Sequence, residues 1–376
     1  HSMLPSSSAV QEPDRVPTDN ATAFKNMYES LGKLGGKLMT QTRAYDLEQD
    51  KDGNVTAVIA EKADGGKLTI RTKAVVLASG GFGGDAKHLA EAMESDQLTN
   101  RIAWGNMGEG LEMAWKAGAQ KMGEHHALIH AAEIDGLSTS SAGAKGMIDA
   151  NLLVRVLKTP LLWVDQAGHR FCNEELIYDT VYWSNAAYSV GGKYFVVVDG
   201  KTLDAYTNDQ FPFEVSGAGP ENPTGKGDFR ALMEEAVRQG VAFKADTLEG
   251  LAKAAGFDNS FPQQIADYNK AVQTKKDPFG KPAEFLKYEV KDGPFYALRA
   301  KTVSLSTLGG VRVNENMQAL DHNYKAIGGL YAVGNNAYGF YTAPSYPPYQ
   351  GLALGFAWNS GRIGGSEAAD YVKTLK

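Results

Sequence analysis

Residues 73–84 read KAVVLASGGFGG, a continuous apolar run that stops at a serine and breaks into glycines. Ala74 to Ala78 suit a strand buried on both faces. The glycines behind it strip the strand's end of side chains, so that backbone N–H groups can approach a ligand, and Ser79 adds a hydroxyl for a phosphate or ribose. Taken alone, a glycine after a strand is more often an ordinary turn. A second unit of the same design, GGLYAVGNN (328–336), lies near the C-terminus. After it, Gly351, Gly355 and Gly361 punctuate an apolar helix whose N-terminal amides favour an anion or an electron-rich carbonyl. Two strand ends and one helix end without side chains suit a large planar cofactor lying on backbone. Close packing of helix on sheet is the plainer alternative.

Outward from this stretch, the chain divides by rhythm. Asp19 or Asn20 can cap a helix whose apolar residues Phe24, Met27, Tyr28, Leu31 and Leu34 keep 3.6 spacing, with Gly35-Gly36 to end it. Alternating apolar residues broken at Lys51-Asp52-Gly53 and Asp64-Gly65-Gly66 predict a meander of antiparallel strands leading into residue 75. GEGLEMAWKAGA (108–119) reads as a short helix. A long segment to about residue 297 then mixes strands such as KYFVVVD (193–199) with helices at 228–240 and 247–256, and it reads as an inserted lobe. Residues 298–337 return to strands, and 351–372 form a final helix. The expected division is a first lobe over 1–124, an insertion over 125–297, and the remainder of the first lobe over 298–376.

Composition sets limits. With 376 residues, two lobes or one domain with an insertion are expected. The net charge of -6 and the shortness of basic stretches such as KAVQTKK argue against a nucleic-acid or anionic-membrane surface. A single cysteine, Cys172, excludes a disulfide framework and reads as a buried bystander, while leaving the compartment open. No run of 18 apolar residues predicts a membrane span. The opening HSMLPSSSAVQEPDRVPTDN is polar and lacks the shape of a signal peptide. It reads either as an expression scar with flanking residues or as the place where a longer protein was cut.

KAVVLASGGFGG, NMGEGLEMAWKAGA, GHRFCNEE, KKDPFGKPAEFL, GPFYALRAKT, TLGGVRVNENMQALD, GGLYAVGNN and GRIGGSEAADYV follow one another in the order and spacing of the fumarate-reductase-like flavoprotein family. That family includes fumarate reductases, urocanate reductases and 3-ketosteroid dehydrogenases, and the chain resembles it from about residue 20 to its end. The resemblance implies an α/β FAD-binding domain of the fumarate reductase flavoprotein type, N-terminally incomplete here and interrupted by a mixed α+β capping domain. It implies FAD contacts at Ala44, Ser79, Gly80, Gly81, Glu109, Gly334 and Asn335, with Gly351, Ala353 and Leu354 at the helix start facing the flavin's pyrimidine edge. It further implies a small-molecule substrate with a conjugated C=C or CH–CH bond, and an external electron donor that the sequence does not identify.

Three departures from the family qualify that picture. No GxGxxG turn precedes residue 75, which would leave FAD without its pyrophosphate loop unless another polypeptide supplies the missing strands. A chain that binds no flavin, as a fragment or partner subunit, is therefore the competing expectation. Where dicarboxylate reducers carry an arginine before the final helix and a histidine ahead of the TMGG-like turn, this chain has Pro348 and Ser306, so a non-dicarboxylate, apolar or aromatic substrate is expected. The family's proton relay falls on Glu174, Tyr178 and Lys281. Glu174 and Tyr178, at i and i+4, are expected to share a helical face, and Lys281 either serves as the donor or is a solvent-facing loop lysine.

The loop YGFYTAPSYPPYQGLALGF (338–356) supplies further candidates: Tyr346, whose Tyr-Pro context is similar to that of ketosteroid dehydrogenases and suggests a catalytic phenol, with Tyr341 and Tyr349 as substrate contacts. His130 is placed near the substrate cavity. His126 and His130 also have the i, i+4 spacing of a helical zinc pair, but no third ligand is evident and no metal is expected.

Overall fold

The structure is a computed structural model that describes residues 20–100, 105–137, 150–179, 182–208, 210, 213, 227–338 and 352–375. The first helix spans Asn20–Lys33, and Gly35 leaves it in the left-handed region at φ +83°. Its periodic residues Phe24, Met27, Tyr28 and Leu31 are about half-exposed and Leu34 is 88% exposed. The spacing that makes the helix amphipathic is therefore not used against any described neighbour.

The strands Thr42–Gln49, Val55–Lys62 and Lys67–Arg71 form the antiparallel meander. Its first turn is built by the Asp50 carboxylate, which accepts the N–H groups of Asp52 and Asn54, each at 2.9 Å, around Gly53 at φ +83°. Val75–Leu77 does not extend this meander. It pairs in parallel with Ala326–Ala332, which in turn pairs antiparallel with Gln318–Leu320. Among the described residues Val75–Leu77 is bonded on one side only, and Val75 and Val76 are half-buried, which corrects the expectation of burial on both faces. On its inner side Leu77, Phe82, Leu111, Ala114, Val311, Leu330 and Ala332 form one core.

The capping layer is organised by one long strand, Phe295–Thr307. Ala242–Ala245, Lys193–Asp199 and Ala127–Ile134 pair with it antiparallel, and Leu162–Val164 pairs with Lys193–Asp199. The unbroken apolar run KYFVVVD is explained by two covered faces: Val196 and Val198 point to a core containing Trp163, Trp183, Phe229 and Met233, while Val197 points to Leu251, Phe261 and Ile265 on the other side. Asp228 caps the helix Phe229–Arg238 and Thr247 caps Leu248–Ala255, each side chain accepting an N–H of the first turn. The expected divide at 297/298 falls inside the long strand. Its first half belongs to the cap, and its second half, bulged around Ser304, delivers the chain to Gly309-Gly310 beside the glycine turns.

The final helix, Leu352–Thr374, lies on the parallel pair Val75–Leu77 and Ala326–Ala332, with Ser360, Gly364 and Ala368 buried. Glycine at 364 allows this approach, because a Cβ there would lie 2.7 Å from a Val333 methyl. Among the described residues, no helix is long and apolar enough to cross a membrane.

Candidate active site

The parallel pairing of Leu77 with Ala332, continued by the Val333 N–H to Leu77 C=O bond at 3.0 Å, sets the turns Ser79–Gly81 and Gly334–Asn336 side by side. Gly80 at φ +85° and Gly334 at φ +56° occupy the left-handed region that favours glycine. The expectation that their amides face a ligand is corrected at several positions. Gly80 N–H donates to Asn336 Oδ1 at 2.8 Å, Phe82 N–H to Thr307 Oγ1 at 3.1 Å, and Gly334 N–H to Ser360 Oγ at 2.9 Å. Each of these donors, Phe82 N–H in a buried position and the other two partly buried, is paired with a side chain from a separate segment. Glycine at 81 and 110 answers to packing: a Cβ at Gly81 would overlap Thr307 Oγ1, and one at Gly110 would overlap Ser79 Oγ.

Other candidate residues gather on the same ledge. The helix Glu109–Lys116 begins at Gly108, which offers its first amides no side-chain cap, and Gly110 seats that end against Ser79. Arg43 Nε donates to the Glu109 carboxylate at 3.2 Å, bringing the strand residue Ala44 alongside. Asn335 Nδ2 donates to Ser306 Oγ at 2.6 Å, and Ser306 donates to Thr307 C=O at 3.0 Å. Leu352 and Ala353, at the start of the final helix, pack against Leu128 and Leu308, whereas Leu354 is exposed. Ala44, Ser79, Gly80, Gly81, Glu109, Ser306, Gly334, Asn335 and Ala353 are thus brought into one region.

Glu174 and Lys281 lie in the cap, in a second polar cluster. Lys281 is buried, not solvent-facing, and its ammonium meets Pro160 C=O at 2.6 Å, Glu174 Oε2 at 3.1 Å and Tyr268 Oη at 3.4 Å. Arg170 clamps Glu174 with Nε and Nη2 at 2.8 and 2.7 Å and also pairs with Asp277, while its guanidinium lies between the rings of Tyr268 and Phe279. Burial, the largest single influence, pushes the Lys281 ammonium down, but the Glu174 carboxylate and Tyr268 together raise it and the net direction is up. For Asp277, burial again acts most strongly and pulls up, but the Arg170 hydrogen bonds, the Lys281 N–H and the charges of both residues together leave the carboxyl below its ordinary value.

Two sequence expectations are corrected by local geometry. Glu174–Tyr178 is a 3₁₀ helix, with three residues per turn, so residues i and i+4 stand about 120° apart. Glu174 is fully buried and Tyr178 is 36% exposed, its ring beside Phe285, so they share no face. His130 lies in the strand Ala127–Ile134, not on a helix. Four residues of extended chain span about 13 Å, too far for His126 and His130 to grip one ion. The side chain of His130, and Tyr341, Tyr346, Pro348, Tyr349 and Gly351 altogether, lie outside the described residues.

Asn336, Thr307, Ser360, Arg170 and Asp277 are the participants that sequence reasoning missed. Arg170 and Glu174, like Asp277 and Lys281, stand at i and i+4, and that opposite-charge spacing was the available signal.

Comparisons with known proteins identify the family. A family described as FAD binding domain matches residues 3–345. The vinyl phenol reductase of Lactiplantibacillus plantarum is 31% identical over 351 residues, covering 90% of this chain and 69% of that protein. The NADH:acrylate oxidoreductase of Vibrio harveyi is 29% identical over 356 residues, covering 91% of this chain but 31% of that protein. The solved structure of 3-ketosteroid delta1-dehydrogenase from Sterolibacterium denitrificans superposes with a TM-score of 0.64 at 22% identity, over 90% of this chain and 62% of that one, a likeness of fold alone. The chain therefore spans between about a third and about two thirds of these relatives' lengths. The expected family, its α/β fold and its cofactor FAD are borne out by these matches.

Proposed function

The chain belongs to the family of FAD binding domains, and from that membership we propose that it serves reduction, or the reverse dehydrogenation, of a conjugated C=C bond in an apolar or aromatic substrate. A vinyl phenol is the first substrate to test, because the relative at 31% identity carries that name. The residues present fit FAD. Ser79, Glu109 and Asn335 offer hydroxyl, carboxylate and carboxamide beside the uncapped start of the helix Glu109–Lys116, and Gly355 and Gly361 leave open space along the final helix.

The observation that carries the substrate class is Ser306. It stands where dicarboxylate reducers of this family place a histidine, its hydroxyl is neutral, and it is already bonded to Thr307 and Asn335. A carboxylate held there would lose its hydration with no charge from residue 306 to replace it.

Bound FAD supplies hydride exchange at one carbon of the double bond. The proton at the other carbon we assign to Tyr346, a phenol that can donate and also polarise the conjugated system. Lys281 is assigned a different part. With its three donors engaged by Pro160, Glu174 and Tyr268, it fixes the Glu174 carboxylate in the cap and does not reach outward. Arg170 fixes the same carboxylate from the other side.

The test is single-turnover reoxidation. Protein loaded with FAD and reduced anaerobically is mixed with 4-vinylphenol or with fumarate, and the return of oxidised-flavin absorbance is followed. Rapid return with the vinyl phenol and none with fumarate is expected, and Tyr346→Phe should slow it by about 10²- to 10⁴-fold. Reoxidation by fumarate alone would overturn the substrate class, and an unchanged rate in the Phe variant would remove Tyr346.

A further inference from the structure

We propose that Asn336 is the positioning residue that fixes the spacing of the two glycine turns and thereby sets the affinity for FAD. This rests on the reading that the turns carry FAD.

Asn336 is fully enclosed. Its Oδ1 accepts the Gly80 N–H at 2.8 Å and its Nδ2 donates to Ser79 Oγ at 3.4 Å, joining segments 256 and 257 residues apart. The orientation is dictated by chemistry, since only the carbonyl oxygen of the carboxamide can accept from a backbone N–H. A Cβ at Gly110 would lie 2.8 Å from Asn336 Nδ2, and one at Gly310 would lie 2.6 Å from the Asn336 backbone carbonyl oxygen. Glycine at 110 therefore makes room for the side chain, and glycine at 310 for the backbone behind it.

At neutral pH no other side chain of similar size does both jobs without bringing a charge. Alanine leaves the Gly80 N–H without its partner, and leucine cannot accept. Ionised aspartate can accept from Gly80 and, if the hydroxyl turns, from Ser79, but it places a negative charge in an enclosed site, whereas protonated aspartic acid reproduces both bonds without charge. Beyond the Val333 N–H to Leu77 C=O bond at the strand ends, this carboxamide ties the Gly80 turn to the Gly334 turn, so its loss loosens one turn relative to the other at the ledge where Ser79 and Asn335 present their polar groups.

The experiment uses the full chain, with Asn336→Ala and Asn336→Asp beside wild type. FAD affinity is measured by flavin fluorescence titration from acid to neutral pH, and amide hydrogen exchange is measured over 78–84 and 193–199 without FAD. The Ala variant should bind FAD about 10- to 100-fold more weakly. Its 78–84 amides should exchange faster, with 193–199 unchanged. The Asp variant should approach wild-type affinity at acid pH, where its carboxyl is neutral, and lose affinity as pH rises, a dependence absent from the other two proteins.

Wild-type affinity and wild-type exchange in the Ala variant would overturn the proposal, as would a pH-independent Asp variant if the Ala variant fails to fold. Should the wild-type chain take up no FAD, exchange decides. Faster exchange at 78–84 then upholds the latch while the cofactor reading falls for this chain, and unchanged exchange overturns the latch itself.

Discussion

The cap and the glycine ledge each enclose a polar cluster, but they are made of different groups. In the cap, Arg170, Glu174, Asp277 and Lys281 bring four formal charges together away from water, with aromatic rings against the cations. At the ledge, Asn336, Thr307, Ser360 and Ser79 accomplish comparable cross-linking with neutral amides and hydroxyls. Enclosed charges are tolerable only when every partner is present, so the cap cluster is an all-or-none device. Neutral hydrogen bonds contribute about 1 kcal/mol each and can exchange partners cheaply, which suits a surface that has to admit a ligand.

The sharpest way to break this contrast is Arg170→Met. It leaves Glu174 and Asp277 facing each other without their shared cation, and chemical denaturation should show a loss of about 3–5 kcal/mol. A loss below about 1 kcal/mol would mean that the cap cluster is no more demanding than the ledge.

A smaller effect is expected from Gly81→Ala, where the added methyl meets Thr307 Oγ1. It should destabilise by about 1–3 kcal/mol. In a Thr307→Ala background the same change should cost clearly less, and additivity of the two would show that the overlap is relieved elsewhere.

The mildest test is pH. Asp277 has a depressed carboxyl, so its contribution is fully present above the ordinary carboxylate range and is lost as pH falls through the lower folded value. Lys281 has a raised ammonium, so its contribution is fully present below the ordinary lysine value and is lost as pH rises through the higher folded one. Protection against exchange in the cap, corrected for the intrinsic pH dependence of amide exchange, should therefore fall at both extremes. In between it should stay level, and a cap transition near neutrality would contradict the ion-pair assignment.

Legibility in the sequence followed the range of the interaction. The turns at Ser79–Gly81 and Gly334–Asn336 could be located because an apolar run that ends in glycine is a local signal, and the meander because Asp-Gly turns are local too. What those glycines pack against could not be read, since Thr307 and Asn336 reach Gly81 and Gly80 across more than 200 residues. Whether Lys281 was a donor or a loop lysine stayed open for the same reason: its partners Pro160 and Glu174 come from another part of the cap. Tyr178 was misplaced by a different route. The i, i+4 rule presumes 3.6 residues per turn, and the segment after Asn173 winds tighter than that. Asp277 and Arg170 were within reach of charge-spacing arguments, since each stands four residues from an opposite charge.

Cys172 gains a practical meaning from its surroundings. It is the sole thiol of the chain, it is enclosed among Trp163, Tyr194 and Trp183 in the cap core, and burial together with the Glu174 carboxylate pushes its ionisation far up, Arg170 and Lys281 pulling the other way. A thiol in that state is almost inert to alkylating reagents while the cap is closed. Its rate of labelling is then a clock for cap opening, native to the sequence, that needs neither an engineered probe nor knowledge of the substrate.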